Sequence, residues 1–366
     1  MTAKTGVIIL IADMGSGGAQ QVASQLASHW SSRGRRVGLL TLSAPETDFF
    51  KVDGKVERYS IGGVADSHSV VERVTRNFRR VLAIRRVLRA FNGDTAISFI
   101  APMNVLLILA SWGLGLRTVI SERNDPARQS FGLFWDALRR MLYRCADKIS
   151  ANSRAALVTL RAYVPERKLV YLPNPLRQAV VEAVPMEGRA PIVLNVGRLH
   201  RQKGQDLLIC AFAAAAGELL GWRLCIVGEG EERQRLQSLI DSLSVSDCVE
   251  LVGRAEDPFI WYRRASIFAF PSRWEGTPNA LLEAMSCELP VVVSGAAPSV
   301  LEIVRDGREG LVALGEDVPS LSRALVTLAR DDALRRRLGS AAAQQTKQFA
   351  PATVFHTWDE ALWPAA

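Results

Sequence analysis

Short apolar runs rich in Val and Ile recur along the chain, each followed by a longer stretch in which apolar positions return every three or four residues. The first pattern suits a strand buried on both faces and the second an amphipathic helix, so the alternation predicts parallel strands joined by crossover helices. In the first half, strands are expected at Gly6–Ala12, Arg36–Thr41, Val56–Ser60, Thr95–Phe99, Arg117–Ser121, Lys148–Ala151 and Lys168–Leu172. In the second they are expected at Ile192–Val196, Trp222–Val227, Val249–Val252, Ser266–Phe270, Pro290–Ser294 and Gly310–Leu314. The proline-punctuated stretch from Asn174 to Pro191 reads as a linker. The expected fold class is therefore α/β, with two Rossmann-like, doubly wound parallel-sheet domains facing a central cleft. Their expected limits are residues 1–185 and 186–348, followed by a closing helical segment, 349–366.

In such sheets ligands bind beyond the carboxyl ends of the strands. The loop Gly15-Ser16-Gly17-Gly18 follows the first strand and opens a helix, so Gly17 and Gly18 let backbone approach a phosphate; the loop reads equally as a tight structural turn. It fails as a dinucleotide fingerprint, because Gln20 stands where a third glycine is needed, and as a P-loop, because no Gly-Lys-Ser/Thr ending follows. Arg198 and Lys203 flank the next candidate loop and would place two cations at a helix start, where they can neutralise a departing diphosphate; the alternative is two surface charges. Val252-Gly253-Arg254 closes another strand near the same rim, where backbone amides can pair with a nucleobase edge.

Glu275 and Glu283 stand eight positions apart where the expected strand Ser266–Phe270 gives way to a helix. Thr277 is placed to cap that helix and Pro278 to be its first residue. A helix begun there leaves the N–H groups of Asn279 and Ala280 free to receive an anion such as a diphosphate. Glu283, about one and a half turns further on, is set to accept hydrogen bonds from neighbouring hydroxyls such as those of a ribose. Glu275 is set to reach the group beyond the phosphates. The plain alternative is one solvated loop residue and one surface helix charge, since most Glu is exposed.

Composition narrows the class. A chain of 366 residues with 48% hydrophobic content can bury two cores, and its longest apolar runs are strand-sized, short of the ~20 residues needed to span a bilayer. Asp13 closes the apolar run Gly6–Ala12, which reads as a first strand and not as a signal core, so a cytoplasmic location is expected. The five cysteines form no C-x-x-C pair and the four histidines are dispersed, which argues against a disulfide framework and a metal site. Residues 1–185 carry 26 Lys and Arg against 14 Asp and Glu, whereas residues 186–366 carry 19 against 23. The basic half is expected to face an anionic partner.

Gly-Arg-Leu-x4-Gly at Gly197–Gly204, Val-Gly-Glu-Gly at Val227–Gly230 and Glu-Gly-x-Pro-Asn-x3-Glu at Glu275–Glu283 occur in one order, and in this the chain resembles the family 4, GT-B-fold retaining glycosyltransferases. The resemblance spans nearly the whole chain and is most specific over residues 192–314. It implies a UDP-sugar donor held mainly by the second domain, an acceptor held by the first, and catalysis without a required metal or other cofactor; no Asp-x-Asp occurs. It assigns Arg198 and Lys203 to the donor diphosphate, Glu283 to the ribose, and Glu275 to the donor sugar and its developing positive charge. Gly276, Thr277, Asn279 and Ala280, with Arg254, Gly17 and Gly18, complete the donor-binding set. Where many relatives carry a histidine motif, this chain has Ser121-Glu-Arg-Asn-Asp-Pro126. Similar stretches occur in the subgroup that extends lipid-linked oligosaccharides, so Glu122, Arg123 and Asn124 are expected on the acceptor side and the acceptor is expected to be a polyprenyl-diphosphate-linked glycan. In such relatives the C-terminal tail crosses back to the first domain, which here would use Val354, Phe355, Trp358 and Leu362.

Val70–Phe91 carries seven arginines, Arg73, Arg76, Arg79, Arg80, Arg85, Arg86 and Arg89, with Val74, Phe78, Val81, Leu88 and Phe91 at helical spacing. Phe131–Arg144 sets Phe131, Trp135, Leu138 and Leu142 on one face beside Arg139, Arg140 and Arg144. Both are expected to touch an anionic membrane surface, placing the protein at the inner face of the cell membrane. The bland account packs the apolar faces on the sheet and leaves the arginines in solvent. Two competing enzyme readings are a nucleotide-sugar epimerase and a sucrose-type synthase; a third reading is a non-catalytic membrane or nucleic-acid binder. The arginine helix lacks the interleaved exposed aromatics of a single-strand binder, so no nucleic-acid partner is expected.

Overall fold

A computed structural model describes residues 6–62, 70–177 and 188–364, and in the second stretch the side chains from Thr75 onward. The chain forms two compact units, one made of the residues up to Pro175 together with those from Val354 on, the other of Leu176–Thr353. The expected boundary at 185/186 lies outside the described residues.

The first unit is a seven-stranded sheet of β1 (Gly6–Leu10), β2 (Arg36–Thr41), β3 (Glu57–Ser60), β4 (Thr95–Phe99), β5 (Arg117–Glu122), β6 (Lys148–Ala151) and β7 (Leu169–Tyr171). All neighbours are parallel, in the order β3-β2-β1-β4-β5-β6-β7. Its helices are α1 (Gly18–Ser32), α2 (Val70–Phe91), α3 (Ala101–Ser111), α4 (Leu133–Leu142) and α5 (Arg154–Leu160). Strands buried on both sides need a helix layer on each face. Ile84, Leu88 and Phe91 of α2 pack with α3 and α5 against one face, and Val22, Leu26 and Trp30 of α1 cover the other.

The second unit repeats the plan with β8 (Ile192–Val196), β9 (Arg223–Val227), β10 (Val249–Gly253), β11 (Ile267–Phe270), β12 (Val291–Ser294) and β13 (Gly310–Ala313), parallel in the order β10-β9-β8-β11-β12-β13. Helices α6 (Gln205–Ala214), α7 (Arg233–Ser242) and α11 (Val318–Arg330) cover one face. Helices α8 (Phe259–Arg264), α9 (Asn279–Ser286) and α10 (Pro298–Leu301) cover the other, while α12 (Asp332–Thr346) contributes Leu338 to the first core and Ala342 to the second. Strand β11 shows the alternation: Phe268 and Phe270 enter one core, Ile267 and Ala269 the other.

Helix α13 (Pro351–Leu362) buries Val354, Trp358 and Leu362 on the α1 face of the first unit. Asp359 accepts from the Trp30 indole at 2.8 Å and pairs with Arg33, and the Arg117 guanidinium donates to the carbonyls of Ala361 and Leu362, closing the helix end. Phe349, which the sequence reading gives to this tail, is buried in the second unit's core instead.

Two helices differ from expectation in the faces they show. Phe78 is 63% exposed, and the inward stripe of α2 runs through Val81, Ile84, Leu88 and Phe91. Arg85 donates to the carbonyls of Ala110 and Trp112 at the end of α3, so it is not a free cation; Arg79, Arg86 and Arg89 are exposed, and the Arg73 side chain lies outside the described residues. Phe131, just ahead of α4, and Trp135, Leu138 and Leu142 within it pack against the core as the bland account has it, and Arg139 is buried on the carbonyls of Pro126 and Gln129. The outward residues are Leu133, at 91% exposure, with Phe134, Arg140, Met141 and Arg144.

Candidate active site

Strand order reverses between β8 and β11 in the second unit, and the crevice at such a switch point is where open α/β sheets hold ligands. The loop Gly197–Gly204 leaves β8 and the loop from Pro271 to Pro278 leaves β11, so both open at that point. Backbone meets backbone there. Gly204 has φ +67°, and a Cβ on it would fall 2.1 Å from the Pro271 carbonyl; one on Gly228 would fall 2.0 Å from the Gly197 carbonyl. Only glycine permits both contacts, which explains two of the fixed glycines in the sequence motifs. Buried Asn195 donates to the Ala269 carbonyl at 2.8 Å, binding β8 to β11 below the loops.

Lys203 and Glu275, which the sequence assigns to different parts of a ligand, are brought into direct contact: Lys203 Nζ lies 2.5 Å from Glu275 Oε1. Glu275 is 7% exposed and Glu283 6%, so neither is the solvated charge of the plain alternative. A carboxylate removed from water needs a cation or hydrogen-bond donors, and Lys203 supplies the cation for Glu275. Glu283, in the second turn of α9, accepts from the buried Tyr262 hydroxyl at 3.2 Å. Burial, reinforced by the charge and hydrogen bond of Glu283, holds the Tyr262 hydroxyl well above its usual range, so it stays a donor. Arg198 is exposed, and no ion-pair partner stands beside it among the described residues. Arg254 is likewise exposed, just after β10.

The helix start is shifted from expectation. Thr277 does not cap α9: the helix begins at Asn279, and Pro278 occupies the cap position with φ −82° and ψ 87° and no side-chain cap. The first intrahelical bond runs from Leu282 N to Pro278 O, so the amides of Asn279 and Ala280 fall in the first turn, where helical amides lack an intrahelical partner. Gly276 and Thr277 are buried in the loop ahead of them.

Sequence reasoning missed the residues that hold these groups. Arg273, 8% exposed, donates through Nη1 and Nη2 to Asp206 at 2.8 and 3.0 Å, through Nη1 to the Arg201 carbonyl at 2.8 Å, and through Nε to Glu316 at 2.7 Å. Gln202 Nε2 donates to the Trp274 carbonyl, and the Arg273 amide donates to the Gln202 carbonyl, both at 2.8 Å. Arg273 was visible only as the neighbour of Glu275; Tyr262 lies 21 residues before Glu283 and carries no local signal.

In the first unit the switch point lies between β1 and β4. Gly17 is the cap of α1 and Gly18 its first residue, both exposed. Asp13 Oδ1 accepts from the Gly15 amide at 2.8 Å and from Gln20 at 3.0 Å, fixing the loop. At the end of β5, Glu122 does not line an open surface: it is 2% exposed and accepts from Tyr143 Oη at 2.5 Å. Burial drives its carboxyl above the usual range, against the hydrogen bond from Tyr143. Arg123 donates to the Leu172 carbonyl and to Asn174 Oδ1 and lies against the rings of Phe99 and Trp358. Burial lowers it to about 9, so it remains charged at neutral pH. It clasps the outgoing chain to α13, while Asn124 accepts from the Asp125 amide and stays half-buried.

Two family models match the chain, "Glycosyl transferase 4-like domain" over residues 17–175 and "Glycosyl transferases group 1" over residues 178–345. Among curated relatives, the chain is 26% identical over 353 residues to the Campylobacter jejuni GalNAc-alpha-(1->4)-GalNAc-alpha-(1->3)-diNAcBac-PP-undecaprenol alpha-1,4-N-acetyl-D-galactosaminyltransferase, covering 96% of each protein. It is 29% identical over 281 residues to the N-acetylgalactosamine-N,N'-diacetylbacillosaminyl-diphospho-undecaprenol 4-alpha-N-acetylgalactosaminyltransferase of the same organism, covering 73% of this chain and 76% of that protein. Among solved structures, Anabaena HepE in complex with UDP-glucose superposes with a TM-score of 0.83 at 18% identity, over 98% of this chain and 99% of that one. With both domain models matched in order and two parallel six- and seven-stranded sheets in place, the chain belongs to the family 4 glycosyltransferases of GT-B fold.

Proposed function

We propose that this glycosyltransferase is a retaining enzyme that moves a hexose or N-acetylhexosamine from a UDP-sugar to a lipid-diphosphate-linked glycan at the cytoplasmic face of the membrane. One observation carries the donor side: buried Glu275 paired with half-buried Lys203 at the switch point, with exposed Arg198 on the same loop. A diphosphate arriving there offers Lys203 a second anionic partner and Arg198 its first. Glu275, released from Lys203, is then available to the hydroxyls of the sugar and to the positive charge that develops at its anomeric carbon. Glu283, aimed by Tyr262, takes the ribose hydroxyls.

The reaction follows as front-face displacement. The acceptor hydroxyl approaches on the side from which the diphosphate departs, the bond from C1 to the diphosphate oxygen breaks, and the bond from C1 to the acceptor oxygen forms. The hydroxyl proton passes to the departing diphosphate. Configuration at C1 is kept, and no protein base is needed. Arg198 and Lys203 stabilise the charge on the leaving group, so turnover is expected to survive chelation of divalent metals.

The acceptor assignment rests on the two Campylobacter relatives, whose names specify undecaprenyl-diphosphate-linked glycans, and the donor base on HepE with its UDP-glucose. Membrane attachment rests on the exposed Arg79, Arg86 and Arg89 of α2 and the outward Leu133, Phe134 and Met141 of α4. Among the described residues no helix is long and apolar enough to cross a membrane. The test is UDP release from a panel of UDP-sugars, with and without a polyprenyl-diphosphate-linked oligosaccharide and with EDTA present. Acceptor-dependent release from one UDP-hexose or UDP-N-acetylhexosamine supports the reading; no release from any would overturn it.

A further inference from the structure

We propose that Arg273, with Asp206, is a positioning residue for the Lys203–Glu275 pair: its guanidinium fixes the loop that carries Glu275 against the loop that carries Lys203, so both groups meet the donor in one setting. The inference rests on the donor-site reading above and names a determinant that reading does not include.

The five hydrogen bonds that Arg273 donates all leave its own loop: side-chain bonds reach the Arg201 carbonyl, both oxygens of Asp206 in the first turn of α6, and Glu316 after β13, and its amide reaches the Gln202 carbonyl. Gln202 returns a bond to the Trp274 carbonyl. The residues immediately before Lys203 and immediately before Glu275 are thus tied to each other, and Arg273 braces the same two loops through the Arg201 carbonyl and Asp206. With the carboxylates of Asp206 and Glu316 on it, the charge of Arg273 is met inside the protein, so it is not a third cation for the diphosphate. A planar fork that serves a carboxylate and a carbonyl together cannot be reproduced by a lysine ammonium. Groups that must meet a reacting centre within a fraction of an ångström depend on such a brace.

The test compares wild type with Arg273→Gln, Arg273→Lys, Asp206→Asn and Leu338→Ala, the last a core change in the same unit that lowers stability without touching the loops. Transfer from the UDP-sugar that wild type uses, UDP binding by calorimetry and melting temperature are measured on each, with activity read well below the melting point. Arg273→Gln and Arg273→Lys are expected to lose about 100-fold in kcat with KM for the acceptor unchanged, and to bind UDP more weakly. Asp206→Asn should move the same way, while Leu338→Ala melts earlier but turns over normally. Wild-type kcat in both Arg273 variants would overturn the inference, as would a loss matched by Leu338→Ala at equal melting temperature. If wild type transfers nothing yet binds UDP, the functional reading fails and the UDP affinities decide this inference alone; if it does neither, both fall.

Discussion

Lys203 Nζ stands 2.5 Å from Glu275 Oε1 across 72 residues of chain, and the carboxylate is the more buried partner. The pair is therefore the setting of Lys203 before any donor binds, and on the proposed reading a donor diphosphate competes with Glu275 for the ammonium. Glu275→Gln removes the competitor and also the charge proposed to stabilise the reacting sugar. The expected result is UDP affinity equal to or above that of wild type with kcat down by about 10²–10³. Calorimetry with UDP and steady-state transfer on the same preparation check it; parallel losses in both would reassign Glu275 to uniform binding.

Tyr262 aims Glu283, and its effect should be separable from catalysis. Tyr262→Phe keeps the ring in its packing against Phe259 and Phe268 and deletes the hydroxyl that donates to Glu283. Loss of one hydrogen bond to a buried carboxylate is worth about 1–3 kcal/mol, so KM for the UDP-sugar should rise by between about fivefold and about 150-fold while kcat holds. A fall in kcat at unchanged KM would place Tyr262 in the transition state instead of the donor pocket.

The inner strands were legible because parallel strands buried on both faces are near-continuous apolar runs; the edge strands β3 and β7 are not fully buried, yet each expected segment coincides with a strand to within two residues at either end. The loops were legible where glycine is forced, as at Gly204 and Gly228. The start of α9 was not, because Thr-Pro suits a cap and first residue equally well whether the helix begins at Pro278 or, as found, at Asn279. Long-range pairs such as Lys203–Glu275 and Tyr262–Glu283 leave no local pattern. Nor did periodicity fix the outer face of α4, since that helix is apolar on two sides: Trp135 and Leu138 turn in, Phe134 and Met141 turn out.

That second apolar side yields a prediction for membrane attachment. Leu133→Ser with Phe134→Ser removes exposed apolar area and should cost little stability, because neither side chain enters a core. Sedimentation with vesicles rich in anionic lipid should fall by about tenfold or more for a change of this apolar size. Replacing Arg79, Arg86 and Arg89 by Gln should instead flatten the dependence on anionic lipid and salt, each charge being worth about 1 kcal/mol near such a surface. Leu138→Ala, which is packed inward, should lower the melting temperature and leave vesicle binding unchanged. Vesicle binding that ignores lipid charge, salt and the Leu133/Phe134 pair alike would remove the membrane claim.

Glu122 gives the fold a pH dependence of definite sign. Burial raises its carboxyl in the folded chain, outweighing the hydrogen bond from Tyr143 and the charges of Arg139 and Arg123. The unfolded chain releases this proton near the ordinary Glu value of about 4.3, while the folded chain still holds it. Between those two points the folded state binds more protons, so the contribution of Glu122 is full in acid and is lost as pH rises through its folded value. Each pH unit across that window weakens folding by about 1.4 kcal/mol. Glu122→Gln cannot titrate, so the melting temperature of the variant relative to wild type should climb as pH is taken from 5 to 8, whatever the difference at pH 5. A flat or falling difference would mean that Glu122 ionises normally and that Arg139 and Arg123, not burial, govern it.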